Sequence, residues 1–276
     1  MNKKDLRRSS PVLPHTIWSF LFIVLPLFFV LYYAFTDSDG KFTFANILGL
    51  GDYTQTFLLS ISMSVIATMI CVIIAYPLAY FISKANKEHQ KMLLFLVLVP
   101  MWINLLIRTY SMMAIMDDEG MLNKFLSALH LGTVHLIGTK GAVIFGIVYD
   151  FLPYMVLPIY TVMSKLDKSL IEASSDLGCS KFQTLIKVIL PLTKSGIISG
   201  VTMVFVPSIS TFYISQKLGG GTFDLIGDTI ERQFSNPSTY NIGAAISLVM
   251  MILILLSLYI MNKFTGDSDD TEGMII

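Results

Sequence analysis

Residues 164–192 read SKLDKSLIEASSDLGCSKFQTLIKVILPL, and this stretch decides how the rest of the chain is organised. Asp167 is an N-cap residue type placed directly before a helical pattern that starts at Lys168. Leu170, Ile171, Ser174 and Leu177 recur at helical spacing. Gly178 stands where a left-handed residue closes such a helix. A second helix is predicted through Phe182, Leu185, Ile186 and Ile189, stopping at Pro191, which has no N–H with which to continue it. The product is a helix–turn–helix over about 165–191 with Glu172 projecting from it. It is amphipathic rather than apolar throughout, so it lies at a membrane face and not across a bilayer.

Both flanks of this stretch are strongly apolar. The chain has 276 residues, 54% of them apolar and 14% charged, against about 25% charged in an ordinary soluble domain. Mean hydropathy is +0.69. A soluble fold of this length has too little interior to hide that surface, so the excess faces lipid. A bilayer core of about 30 Å takes about 20 apolar residues per helix. Six segments qualify, at 16–36, 58–83, 92–116, 139–163, 194–216 and 242–262. The run from Ile17 to Phe35 follows a basic N-terminus, as a signal peptide would, but it is long for one and no small-x-small site follows; it is read as an uncleaved first span. Pro207, Ser208, Ser210 and Thr211 interrupt the fifth segment. They either line a cavity or pack helices through small residues. The expected fold is an all-α membrane protein of six transmembrane helices over 16–264. A tail at 1–15 precedes them, an acidic tail at 265–276 follows, and the helix–turn–helix joins spans four and five.

Lys and Arg orient the spans. Lys3, Lys4, Arg7, Arg8, Lys84, Lys87, Lys91, Lys165, Lys168, Lys181, Lys187, Lys194 and Lys263 fall in alternate connections, and Lys41, Lys124, Lys140, Lys217 and Arg232 in the others. This places both termini and the helix–turn–helix in the cytoplasm of a multi-pass plasma-membrane protein. The outer connections lean acidic, with Asp117, Asp118 and Glu119 in one and Asp224, Asp228 and Glu231 in another. They read as ordinary solvated charges or as a surface that attracts cations. Net charge is zero, so the total argues neither for nor against a nucleic-acid partner, and none is expected.

Covalent chemistry finds little support. Cys71 and Cys179 lie far apart, without zinc or redox spacing, and the four histidines form no metal-ligand pattern. The glycine clusters at Gly138–Gly141 and Gly219–Gly221 lack the spacing of a phosphate-binding loop. No catalytic residue, metal or bound cofactor is expected. A stand-alone secondary transporter would need inverted repeats and ion-coupling residues; an integral membrane enzyme would need a cluster of polar groups at an interface. Neither is visible.

Glu172-Ala173-Ser174, then Gly178, then Leu190-Pro191, resembles the E-A-A-x3-G-x9-I-x-L-P signature of binding-protein-dependent ABC importer permeases. Ser174 and Val188 replace the second alanine and the isoleucine. Arg108-Thr109-Tyr110 after Trp102, the run Asp150 to Pro158, Phe205 to Ser208, Leu218 to Gly220 and Ala244 to Met250 are similar to the spermidine/putrescine branch of that family. The resemblance implies a pore half that works with a second permease chain. It also implies ATPase subunits that use ATP and Mg, and an extracellular polyamine-binding protein. Glu172, Ala173, Ser174, Gly178, Leu190 and Pro191 would form the coupling element seated on the ATPase. Another small solute, such as ferric iron, sulfate or an organophosphonate, is the alternative cargo.

A polyamine path needs carboxylates for charge and aromatic faces for ammonium groups. Asp150 is the acidic residue inside the spans, and Trp102, Tyr110, Tyr149 and Tyr154 are the aromatics of spans three and four; Ser208, Ser210, Thr211 and Tyr213 would line span five. Asp150 either faces the path or pairs with Arg108. On straight helices rising about 1.5 Å per residue the two backbones differ in depth by roughly 10 Å. Arg108 would repel a polycation, so it is expected to be structural or a gate, as is Pro207.

Overall fold

The computed structural model describes residues 12–37 and 39–269. Among them helices carry the architecture, and the extended pairing is an isolated bridge between Thr36 and Phe42. In chain order the helices are α1 (Val12–Ser19) and α2 (Leu25–Ala34), joined by a π turn (Phe20–Val24), then α3 (Ala45–Leu48), α4 (Thr54–Lys84), α5 (Lys87–Trp102), α6 (Leu105–Met116), α7 (Met121–Ala128) and α8 (Lys140–Met163). There follow α9 (Lys168–Asp176), α10 (Lys181–Thr184), a π turn (Leu185–Ile189), α11 (Leu190–Leu192), α12 (Lys194–Ser210), α13 (Tyr213–Leu218), α14 (Ile226–Phe234) and α15 (Tyr240–Asp269).

Four stretches are long and apolar enough to cross a membrane: Pro14–Ala34, Ala45–Lys84, Lys140–Met163 and Pro237–Lys263. Two bent pairs bring the number to six if each pair is one span: Lys87–Trp102 with Leu105–Ala128, at 92°, and Lys181–Leu192 with Lys194–Ser210, at 68°. The third predicted segment is therefore not straight. Ile103 and Asn104 are extended, and the Asn104 side chain accepts the Leu106 N–H at 2.8 Å to start a new helix. Pro207 does not interrupt the fifth segment as expected. It lies within α12, where losing one backbone hydrogen bond is tolerated, and the break comes at Thr211, whose backbone is extended. Helix α1 starts at Val12, inside the segment read as a tail, and α15 runs on to Asp269, past position 264. Residues 1–11, with Lys3, Lys4, Arg7 and Arg8, and residues 270–276 of the acidic tail lie outside the described residues.

The chain divides into two compact units. One comprises Met1–Thr54 and Thr229–Ile254. Side-chain amides hold it: Asn46 Nδ2 donates to the Thr36 carbonyl at 2.8 Å, Asn241 Nδ2 donates to the same oxygen, and Gln233 Nε2 donates to the Tyr53 hydroxyl at 3.1 Å.

The other unit, Gln55–Asp228 with Leu255–Ile276, contains the main core. There α12 packs extensively along α8. Gly196 and Gly200, four residues apart on α12, permit the approach. A Cβ on Gly196 would lie 2.9 Å from the Pro158 carbonyl oxygen, and one on Gly200 would lie 2.6 Å from Met155 Sδ and 3.2 Å from its carbonyl oxygen. Helices in lipid gain stability from such close contact, because lipid tails offer no hydrophobic contrast. A second stripe of small residues, Ala67, Cys71, Ala75 and Ala79, is wholly buried on α4, and the Cys71 thiol donates to the Val148 carbonyl of α8 at 3.9 Å. The opposite face of α4 exposes Met69, Ile73 and Phe81, as a lipid-facing surface does.

Asp228, read above as a solvated outer acid, is buried. Its Oδ1 accepts the Ser215 hydroxyl at 2.9 Å and its Oδ2 the Leu225 N–H at 2.8 Å, so it organises the connection into α14. The two glycine clusters meet, with the Gly138 N–H donating to the Leu218 carbonyl and the Thr222 hydroxyl to the Gly138 carbonyl, both at 2.8 Å.

Gly200→Leu should lower the thermal unfolding midpoint of the detergent-solubilised chain, by an overpacking cost of about 1–3 kcal/mol. Gly51→Ala, where a Cβ meets nothing within 4 Å, serves as the control. Equal midpoints for the Gly200 variant and the native chain would remove the close-packing argument.

Candidate functional site

The helix–turn–helix forms as its sequence predicts. The Asp167 carboxylate accepts the Ser169 N–H at 3.0 Å, and these hydrogen bonds to Ser169 hold its carboxyl below the usual range. Gly178 has φ +80°, the left-handed region. The Cys179 N–H donates to the Ser174 carbonyl at 3.0 Å and the Gly178 N–H to that of Ser175 at 2.9 Å, which completes a Schellman closure. A Cβ at Gly178 would meet nothing within 4 Å, so conformation and not space demands glycine. Ser180 and Gln183 form a capping box that opens α10. The helix then continues to Leu192 instead of stopping at Pro191. The π turn over Leu185–Ile189 directly precedes Leu190-Pro191, and the π turn over Phe20–Val24 precedes Leu25-Pro26 in the same way. In both places a wider turn absorbs the bond that a proline cannot donate.

Side-chain hydrogen bonds fix this element internally and at its base. The Ser174 hydroxyl donates to the Ile171 carbonyl at 2.8 Å and pairs with the Thr184 hydroxyl at 2.9 Å, bolting α9 to α10. Thr193 meets the Tyr76 hydroxyl of α4 at 3.0 Å. Gln90 accepts from the Tyr160 hydroxyl at 2.9 Å and donates to the Ser83 and Ala85 carbonyls, joining α5 and α8 to the turn after α4. Ser174 is buried, while Glu172, Ala173, Gly178, Leu190 and Pro191 are exposed. Ile171 points inward, whereas Leu177 is 85% and Phe182 69% exposed, so part of the expected apolar face is presented outward. Thr184, Gln90 and Thr193 were not singled out from the sequence, since a hydrogen bond between remote positions leaves no periodic trace.

Within the apolar helices the structure brings Arg108 and Asp150 together. Arg108 Nη1 lies 2.9 Å from Asp150 Oδ1, with side chains 10% and 1% exposed. The break at Ile103–Asn104 re-aims α6, so the depth gap expected of straight helices does not apply. The contact is an ion pair without hydrogen-bond alignment: neither Asp150 oxygen, nor Nε or Nη1 of Arg108, has a hydrogen-bond partner among the described residues. Arg108 and Tyr149 line a largely apolar cavity of 310 Å³ with Ile107, Met112 and Phe145.

The other predicted path residues are dispersed. Trp102 is 77% exposed against the edge of Phe95. Tyr154 sits beside Phe151. Ser210 returns its hydroxyl to the Pro207 carbonyl at 3.2 Å. The Ser210 and Thr211 carbonyls would lie 2.7 and 2.6 Å from a Cβ on Gly227. Tyr110 is the exception: its ring meets Tyr213 edge-on at 6.2 Å, and Lys217 stands over both. Lys217 was counted above only as an outer charge.

Removing one partner of the buried pair, by Arg108→Met or Asp150→Asn, should cost about 3–5 kcal/mol, and the double variant should regain most of that loss. Thermal unfolding of the four proteins measures it; strictly additive losses would show that the pair does not act as a unit.

The family of inner membrane components of binding-protein-dependent transport systems matches residues 75–265. The chain is 39% identical over 272 residues to the spermidine/putrescine transport system permease protein PotB of Salmonella typhimurium, covering 92% of this chain and 94% of that one. It is 40% identical over 255 residues to PotB of Escherichia coli K12, covering 88% and 92%. In fold it matches a chain of the bacterial alginate ABC transporter solved with an alginate pentasaccharide-bound periplasmic protein, at TM-score 0.74 and 17% identity over 95% of this chain and 97% of that one.

Proposed function

The chain belongs to the family of inner membrane components of binding-protein-dependent transport systems, and from that premise we propose that it is the permease subunit of an ATP-driven polyamine importer. The identity of about two residues in five to spermidine/putrescine permeases, over some nine-tenths of both chains, carries the reading. In this reading each bent pair counts as one span, giving six, with both termini in the cytoplasm of a bacterial cell. One chain forms half a pore beside a second permease subunit, and an extracellular binding protein delivers the polyamine.

The segment 165–191 is the coupling element. Its exposed apolar residues around Glu172 offer a docking surface to an ATPase subunit, which binds ATP and Mg; this chain binds neither and carries out no covalent step. The Gly178 closure, the capping box and the Ser174–Thr184 bolt make the segment stiff, and a stiff element transmits a rigid-body displacement. Closure of the ATPases would thus reach α8 and α12, which flank it, and switch the pore between inward-open and outward-open states. Asp150, Tyr149, Tyr110, Tyr154, Trp102, Ser210 and Thr211 are assigned to the polyamine path. Arg108 holds Asp150 and so gates access to it, and Pro207 keeps a structural place in α12.

Glu172→Ala and Gly178→Pro are expected to assemble normally and to lower radiolabelled spermidine or putrescine uptake by about tenfold, with loss of ATPase stimulation by loaded binding protein. Proline cannot adopt the φ of +80° found at Gly178. Unchanged stimulation with full uptake would remove the coupling assignment. Normal uptake in a strain deleted for this chain would remove the polyamine assignment.

A further inference from the structure

Lys217 Nζ lies 5.3 Å from the ring centroid of Tyr110 and 5.7 Å from that of Tyr213. Both distances fall within the roughly 6 Å over which an aromatic face attracts a cation. The rings come from different helices, α6 and α13, and meet edge-on with centroids 6.2 Å apart. Lys217 forms no ion pair with a carboxylate among the described residues, and the two tyrosines face its charge, Tyr110 through its hydroxyl as well as its ring. Tyr110 is 46% exposed, which leaves the cage accessible from outside.

Helix α13, which carries Tyr213 and Lys217, is fixed at its inner face. Ile214, Ser215 and Leu218 of α13 are buried, Ser215 is bonded to Asp228, and the Leu218 carbonyl is bonded to the Gly138 N–H. The lysine side chain is a primary ammonium on a four-carbon stem with free rotation. Chemically it is the end of an alkyl diamine already seated over the two rings.

We propose that Tyr110 and Tyr213 form an ammonium subsite on the polyamine path, and that Lys217 fills it until an ammonium group of the cargo displaces it. The proposal rests on the polyamine reading for the identity of the cargo. A tethered ammonium competes at high effective concentration, so cargo is passed on and not retained. A neutral solute of the same length gains nothing at the rings and leaves Lys217 in place. Arg108, two residues before Tyr110 on α6, holds Asp150 in a comparable way by charge.

The test is equilibrium binding of radiolabelled putrescine and of butylamine to the purified full-length chain in detergent. Lys217→Met should bind both probes about tenfold more tightly than the native chain, since the internal competitor is gone. Adding Tyr110→Phe and Tyr213→Phe should keep that gain, because the rings remain; adding Tyr110→Leu and Tyr213→Leu should abolish it. No gain in Lys217→Met, or a gain that survives both leucines, would overturn the subsite. A gain for butylamine and putrescine alongside normal polyamine uptake in the deletion strain would leave the subsite standing and remove only the cargo reading.

Discussion

The close approach of α12 to α8 is the contact on which the rest of the larger unit depends. Two helices surrounded by lipid have no hydrophobic reason to associate, so they hold together by dispersion at short range. Gly196 and Gly200 make that range available by letting α12 rest on the backbone of Met155 and Pro158. The helix–turn–helix is the chain that links these two helices. With α8 and α12 locked to each other, and with Thr193 and Gln90 bonded to their neighbours, the segment is held at its base. In the proposed importer this is what makes a push on Glu172 and its neighbours felt in the pore.

Charge within the apolar helices is handled by internal pairing. A carboxylate as buried as Asp150 is costly without a counter-charge, and Arg108 supplies one at 2.9 Å. The tyrosine pair Tyr110–Tyr213 holds Lys217 by a weaker attraction. Asp150 and the tyrosine pair, two acceptors that would suit an ammonium group, are thus occupied by cations of the chain itself. In the proposed function a travelling polycation exchanges with a resident cation and never meets a bare charge, which lowers the desolvation barrier of passage. It also reconciles Arg108 and Lys217, which by charge alone would repel the cargo, with a place beside its path.

What could be read in the sequence was local. The Asp167 cap, the Gly178 closure and the helical recurrence of Ile171 and Ser174 are consequences of backbone sterics and short-range hydrogen bonds, and all are present. Apolar length picked out the four stretches long enough to cross a membrane for the same kind of reason, while two further segments proved to be bent pairs. The departures come where a local rule competes with packing. Pro207 stays inside α12 because neighbouring helices tolerate one missing bond, whereas Asn104, unremarkable in an apolar run, caps a new helix. Asp228 looked like a loop charge, yet Ser215 and the Leu225 N–H enclose it.

The sequence by itself therefore determined that the chain is helical, enters lipid repeatedly, and carries a rigid capped turn between two apolar helices, because each of these follows from residues within a few positions of one another. Only the tertiary structure decided that Arg108 reaches Asp150, that Ser174 bolts to Thr184, and that Lys217 stands over Tyr110 and Tyr213. Those contacts depend on where a helix bends and which face it turns toward another, and such choices are made by packing across the fold, beyond the reach of any local pattern.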